Sequence, residues 1–176
     1  FTVEAEKAPR PEVGTAFAND SVDVSVAAPD AVQIDNVNLE PSSVDANTTN
    51  DHDLTFDALN VSADNSTDSF EVQIPSAATL ESANDVTVTT ENVSAQNLNV
   101  DGNNITFDVN PDTEATDLDL SVEANVTVSV PNVSQETTAD LTIDATDSDG
   151  TSDDASATLT ITVEEDAPAY YTLKLS

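Results

Sequence analysis

Apolar and polar residues alternate with a period of two along most of the 176-residue chain. The clearest run is Leu118, Leu120, Val122, Ala124, Val126, Val128 and Val130, with Asp119, Ser121, Glu123, Asn125, Thr127 and Ser129 between them. Such alternation puts one set of side chains on each face of an extended segment, so it predicts a half-buried β-strand that Pro131 ends. At about 3.3 Å per residue the run spans roughly 40 Å, longer than an ordinary strand, and it is expected to bend or to serve two sheets.

Shorter runs follow the same rule: Val22, Val24, Val26; Val32, Ile34; Leu54, Phe56; Phe70, Val72, Ile74; Val86, Val88; Ile105, Phe107, Val109; Leu141, Ile143; and Leu159, Ile161, Val163. The apolar parity switches between Phe56 and Leu59, which predicts a bulge near Asp57 and Ala58. No helix is expected, because Thr, Val, Asn, Asp and Ser dominate and all are poor helix formers. About ten strands joined by short polar turns predict an all-β fold, an immunoglobulin-like or jelly-roll β-sandwich with extended terminal strands.

Three segments follow from this pattern. Residues 1–14 hold a strand with Phe1, Val3 and Ala5 on one face, then a spacer stiffened by Pro9 and Pro11. At about 3.1 Å per residue that spacer holds the strand some 20 Å from the body. Residues 15–164 form the sandwich, and residues 165–176 form a second short spacer and a strand carrying Tyr171, Leu173 and Leu175.

Charge narrows the function classes. With 35 acidic residues against 3 basic ones, the formal net charge is -32. Lys7, Arg10 and Lys174 cannot build a site for nucleic acid or for an anionic membrane surface. Hydrophobic residues make up 38% of the chain, enough for a core, so the acidity does not predict disorder. There is no Cys, which removes disulfides and thiol chemistry. A start at Phe1 and no apolar run near 18 residues give the expectation of a secreted chain with a cleaved leader, extracellular or at the cell surface, and no transmembrane segment in the mature form.

Residues 11–173 contain no Lys or Arg, so no Lys or Arg salt bridge can form within them. Self-repulsion then opposes compaction at low ionic strength and fades at molar salt, where the Debye length is about 3 Å. The composition is similar to that of haloarchaeal secreted proteins.

Candidate chemistry is sparse. Asn-x-Ser/Thr acceptors stand at Asn19, Asn47, Asn60, Asn65, Asn92, Asn104, Asn125 and Asn132, about twice the chance number, and predict N-linked glycans. Asp147, Asp149 and Asp153 lie in a tight acidic loop and are candidate Ca²⁺ ligands, although no Glu closes the loop at EF-hand spacing. His52, flanked by Asp51 and Asp53, is expected at the surface. One His and no Cys leave no familiar nucleophile and base pair, so no enzyme activity and no required cofactor are expected.

The hairpin from Ala139 to Val163 resembles the closing hairpin of PKD-like, cadherin-like and other immunoglobulin-like repeats of microbial surface proteins. Asp53-Leu54-Thr55-Phe56 through Ser69-Phe70-Glu71-Val72-Gln73-Ile74-Pro75 is similar to a pattern recurring in haloarchaeal surface proteins. The extended termini resemble those of donor-strand-complemented filaments such as archaeal bundling pilins and TasA-like fibres. That resemblance implies a filament subunit whose partners are copies of itself. Phe1, Val3, Ala5, Tyr171, Leu173 and Leu175 would form the strand-donation interface, and Lys7, Arg10 and Lys174 would meet the acidic partner. Neighbouring filaments and cell surfaces are further candidate partners. The alternative is a glycosylated adhesin, S-layer or cell-wall module with no strand exchange.

Overall fold

The computed structural model describes residues 31–163, and within them every side chain but those of residues 112–116. Ten strands run in this order: β1 Gln33–Glu40, β2 Ser43–Asp45, β3 Thr49–Asp64, β4 Asp68–Gln73, β5 Thr79–Val88, β6 Gln96–Asp101, β7 Asn104–Val109, β8 Asp112–Ser129, β9 Thr137–Thr146 and β10 Ser152–Thr162. They form a four-stranded sheet, β1-β3-β8-β5, and a six-stranded sheet, β2-β10-β9-β4-β7-β6. The expected all-β sandwich is therefore the observed fold. The runs at Val22–Val26 and at both termini lie outside the described residues, and among those residues no helix is long and apolar enough to cross a membrane.

The long apolar run is the middle of β8, which stays in one sheet and does not serve two. Its partner β3 is nearly as long, and the two pair from Thr49↔Ser129 to Asp64↔Asp112, while β5 lines the other side. A central strand with partners along its length has no reason to change sheets. The chain changes sheets in its connections instead, at every one but β6 to β7 and β9 to β10; the first crossing, from β1 to β2, includes the cis Glu40–Pro41 bond. The bulge in β3 falls two residues beyond its expected place. Asp57 and Ala58 keep their ladder partners, and the register slips between Ala58 and Val61, where Asn60 takes a left-handed φ of 58°. Asn tolerates that conformation better than the β-branched residues around it.

Inward positions are filled by Val, Ala, Ile and Leu around three phenylalanines. Phe70 stacks on Phe107 at 5.1 Å between ring centroids, and Phe56 meets Phe70 at 6.3 Å in a tilted arrangement. These aromatic rings tie β3 in one sheet to β4 and β7 in the other. Truncating Phe107, which is 1% exposed, to Ala would cost about 3 to 5 kcal/mol. One strand escapes the alternation of burial: all six residues of β6 are exposed, whereas even the three-residue β2 buries Val44 between exposed Ser43 and Asp45.

Candidate functional site

The outer face of the smaller sheet shows how the acids are accommodated. Opposite β3 aspartates, β8 supplies neutral donors: Thr127 Oγ1 donates to Asp51 at 2.7 Å, Asn125 Nδ2 to Asp53 at 2.8 Å, and Ser121 Oγ to Asp57 at 2.7 Å. Hydrogen bonds from Asn36 and Ser121 hold the Asp57 carboxyl below the usual carboxylate range. Other acids directly face one another across the ladder, as in Asp35↔Asp57, Glu40↔Asp53, Glu71↔Asp144 and Asp144↔Asp154. Like charges so placed repel, and residues 31–163 contain no Lys or Arg to relieve them.

The turn after β9 buries a carboxyl pair. Asp68 is 1% exposed and Asp147 3%. Ser62 N–H donates to Asp147 Oδ2 at 3.0 Å and Ser148 N–H to Asp68 Oδ1 at 2.9 Å, so the pair joins β3 of one sheet to β4 and the β9–β10 turn of the other. Asp68 Oδ2 is buried with no hydrogen-bond donor. Burial foremost, with the adjoining Asp147 charge, pushes the Asp68 carboxyl up to about 7. Burial also works against ionised Asp147, but donation from the Asp68 carboxyl and from Ser62 outweighs it and leaves Asp147 lowered. Between the ordinary carboxylate range and about pH 7 the pair thus carries one proton, held on Asp68.

The candidate Ca²⁺ ligands are not gathered. Asp147 faces Ser62 and Asp68, Asp149 Oδ1 accepts from Thr151 N–H at 2.8 Å, and Asp153 Oδ2 accepts from Ile34 N–H at 2.8 Å on β1. Among the described residues no three His, Cys, Asp or Glu side chains are placed to hold a metal. His52 corrects a second expectation, since it is 1% exposed and not at the surface. It shares the inward parity of Leu54 and Phe56, and its Nδ1 donates to the Pro41 carbonyl at 2.7 Å while Nε2 has no partner.

Glycan acceptors divide by backbone role. Asn47, Asn60, Asn65 and Asn92 all have positive φ, so each occupies a position where Asn serves the turn or bulge itself. Asn125 and Asn104 lie on outer faces as expected, both half-buried, the former bonded through Nδ2 to Asp53. Asn60 Nδ2 is similarly engaged, donating to the Ala31 carbonyl at 3.3 Å. Asn132 is exposed, and Asn19 lies outside the described residues.

Among the described residues, exposed large hydrophobic side chains are confined to Leu98 and Val100 on β6 and to Val163 just after β10. All three sit at margins of the larger sheet or at its exit toward the C-terminus. The expected interface residues Phe1, Val3, Ala5, Tyr171, Leu173 and Leu175, and the cations Lys7, Arg10 and Lys174, lie outside the described residues.

These features define an acid-coated two-sheet β-sandwich whose exposed apolar side chains lie at its margins. No protein-family model and no curated protein matches the chain. Among solved structures, the major pilin subunit of Bacillus cereus superposes with a TM-score of 0.52 at 9% identity, over 75% of this chain and 40% of that one. This chain therefore spans less than half of that pilin's length. The major subunit of aggregative adherence fimbriae type I from Escherichia coli gives a TM-score of 0.43 at 12% identity, covering 79% of this chain and 99% of that one. A non-cellulosomal cohesin from the archaeon Archaeoglobus fulgidus gives 0.38 at 18% identity, covering 76% and 84%. At these identities the Bacillus likeness establishes the sandwich fold alone.

Proposed function

We propose that the chain is a structural subunit of an extracellular filament that works at high salt and polymerises by donating a terminal β-strand to its neighbour. The observation that carries this reading is the restriction, among the described residues, of exposed large apolar side chains to Leu98, Val100 and Val163, at the margins where a further strand would add. The sandwich fold shared with a bacterial pilin is consistent with it. Directly opposed carboxylates such as Glu71 and Asp144 favour a saline setting, because only screening relieves them. N-linked glycans on the exposed acceptors belong to the same reading. Head-to-tail donation does not close on itself and so yields a fibre. The test is electron microscopy of the full chain and of a variant lacking residues 1–7, both in molar NaCl. Fibres from the full chain alone are expected; fibres from both, or a monomeric full chain, would refute N-terminal donation.

A further inference from the structure

The two sheets are of unequal width, and the surplus lies at one end. β1 packs on β10 and β9, which aligns the sheets at that side. From there the smaller sheet continues through β3 and β8 to β5, four strands in all, whereas the larger continues from β10 through β9, β4 and β7 to β6, five strands. With neighbouring strands about 4.8 Å apart, β6 overhangs β5 by roughly one strand. Val100 pairs with Ile105, which is fully buried, so both point toward the interior face. Leu98 lies in the register shift between Gln96 and Asn99, where Asn97 and Leu98 together stand opposite the buried Phe107 of β7. Yet Leu98 is 42% and Val100 44% exposed, because among the described residues no strand of the smaller sheet covers them. Beside this uncovered floor runs β5, paired only with β8 and so carrying a free edge among the described residues. The gap is closed at one end by Asn103, which accepts from Leu80 N–H at 3.1 Å and donates to the Ala78 carbonyl at 2.9 Å.

Resting on the filament reading above, we propose that this gap beside β5 and over β6 is the acceptor site, and that its occupant is the segment Phe1–Glu6 of a second copy. A strand there would extend the smaller sheet by backbone hydrogen bonds to β5 and lay Phe1, Val3 and Ala5 onto Leu98 and Val100. Its six residues match the six of β6. Charge selects this occupant. Exposed Glu81 and Asp85 lie on β5 and exposed Asp101 on β6, the two strands that border the gap, and Lys7 and Arg10 directly follow Glu6. Phe1–Glu6 itself holds Glu4 and Glu6, which Lys7 and Arg10 balance, whereas Val22–Val26 sits among Asp20, Asp23 and Asp30 with no cation, and the C-terminal strand sets Lys174 alone against Glu164, Glu165 and Asp166.

Because the chain has no Cys, a pair of introduced thiols reports the contact directly. The full chain carrying Val3→Cys and Val100→Cys, oxidised in molar NaCl, is expected to give a ladder of covalent oligomers that collapses on reduction. A Val3→Cys and Val163→Cys control, aimed at the opposite margin, is expected to give no covalent ladder under the same oxidation. Leu98→Asp with Val100→Asp, at exposed positions, should leave the melting temperature unchanged and abolish the polymer. A disulfide confined to single chains would mean that a subunit fills its own gap, and would overturn the proposal. Fibres visible by electron microscopy without V3C/V100C cross-links would place the acceptor elsewhere while leaving the filament reading intact. Absence of both would end the two together.

Discussion

Replacing Asp68 by Asn tests the buried carboxyl pair. The amide keeps an oxygen for Ser148 N–H and offers Asp147 a donor in place of the shared proton. In the wild type the folded state holds the Asp68 proton up to about pH 7, whereas the unfolded chain releases it near 3.8, the ordinary value of an aspartate. The folded state therefore binds more protons across that window, and stability falls as pH rises through it. Asp147, being lowered, contributes stability that is lost only at pH values below the ordinary carboxylate range, outside the interval of interest. Between pH 5.5 and 8 a single group with these two values gives up about 2 kcal/mol, equivalent to roughly 6 to 10 °C in Tm for a domain of this size. Thermal melts of both proteins in molar NaCl across that interval measure the difference, and all titrations common to the two cancel. The variant should match the wild type near pH 5.5 and exceed it by about 2 kcal/mol near pH 8. Parallel curves would refute the shared proton.

Other outcomes follow from single contacts. Asn103→Ala removes the bridge between the β6–β7 turn and the start of β5, leaves Leu80 N–H without its acceptor, and should cost about 2 to 3 kcal/mol in urea unfolding; a loss below about 0.5 kcal/mol would show that the bridge is not structural. Glycopeptide mass spectrometry of protein from its native host should find glycan on Asn47, Asn65, Asn92 or Asn132, whose side chains are exposed, in preference to Asn60 and Asn125, whose Nδ2 atoms are engaged. Higher occupancy at Asn125 than at any of those four would reverse that order. Thr127→Val keeps the β-branched shape but removes the hydroxyl donor to Asp51, and should cost about 0.5 to 1 kcal/mol equally in about 0.2 M and about 3 M NaCl. A cost that disappears at high salt would mean that the contact acts through charge and not through a local hydrogen bond.

Much of this architecture is legible in the alternation alone, and more than a first reading takes from it. β8 stands out because its inward Leu and Val alternate with polar residues over a long run. The same rule places His52 inward, two residues before Leu54, though the flanking aspartates point to a surface position. It also places Asp68 ahead of Phe70, Val72 and Ile74, and Asp147 after Leu141, Ile143 and Ala145, at inward positions where both are found buried. The carboxyl pair was therefore written in two apolar periods that each begin or end on an acid. What alternation does not contain is the partner of each strand. β6 has only Leu98 and Val100 among Asn, Gln and Asp, and its face is left open, so burial gives no signal for it. The bulge position likewise depends on Asn60 accepting a left-handed φ, which the parity switch locates only to within a few residues.

The absence of cations also takes on structural meaning. A salt bridge is a charge interaction, weakened as the Debye length falls to about 3 Å at molar salt. The bonds from Thr127, Asn125 and Ser121 to the β3 aspartates join neutral donors to acceptors in direct contact, and screening has little hold on them. The repulsion of opposed acids acts across the roughly 5 Å between facing strand positions, a range that molar salt does suppress. One acidic surface thus combines attractions that survive salt with repulsions that salt removes. The 40 Ser and Thr and 16 Asn residues of this chain supply those donors wherever they fall opposite an acid. In such a surface Lys and Arg would add contacts that salt weakens, while the neutral donors already present supply contacts that it does not.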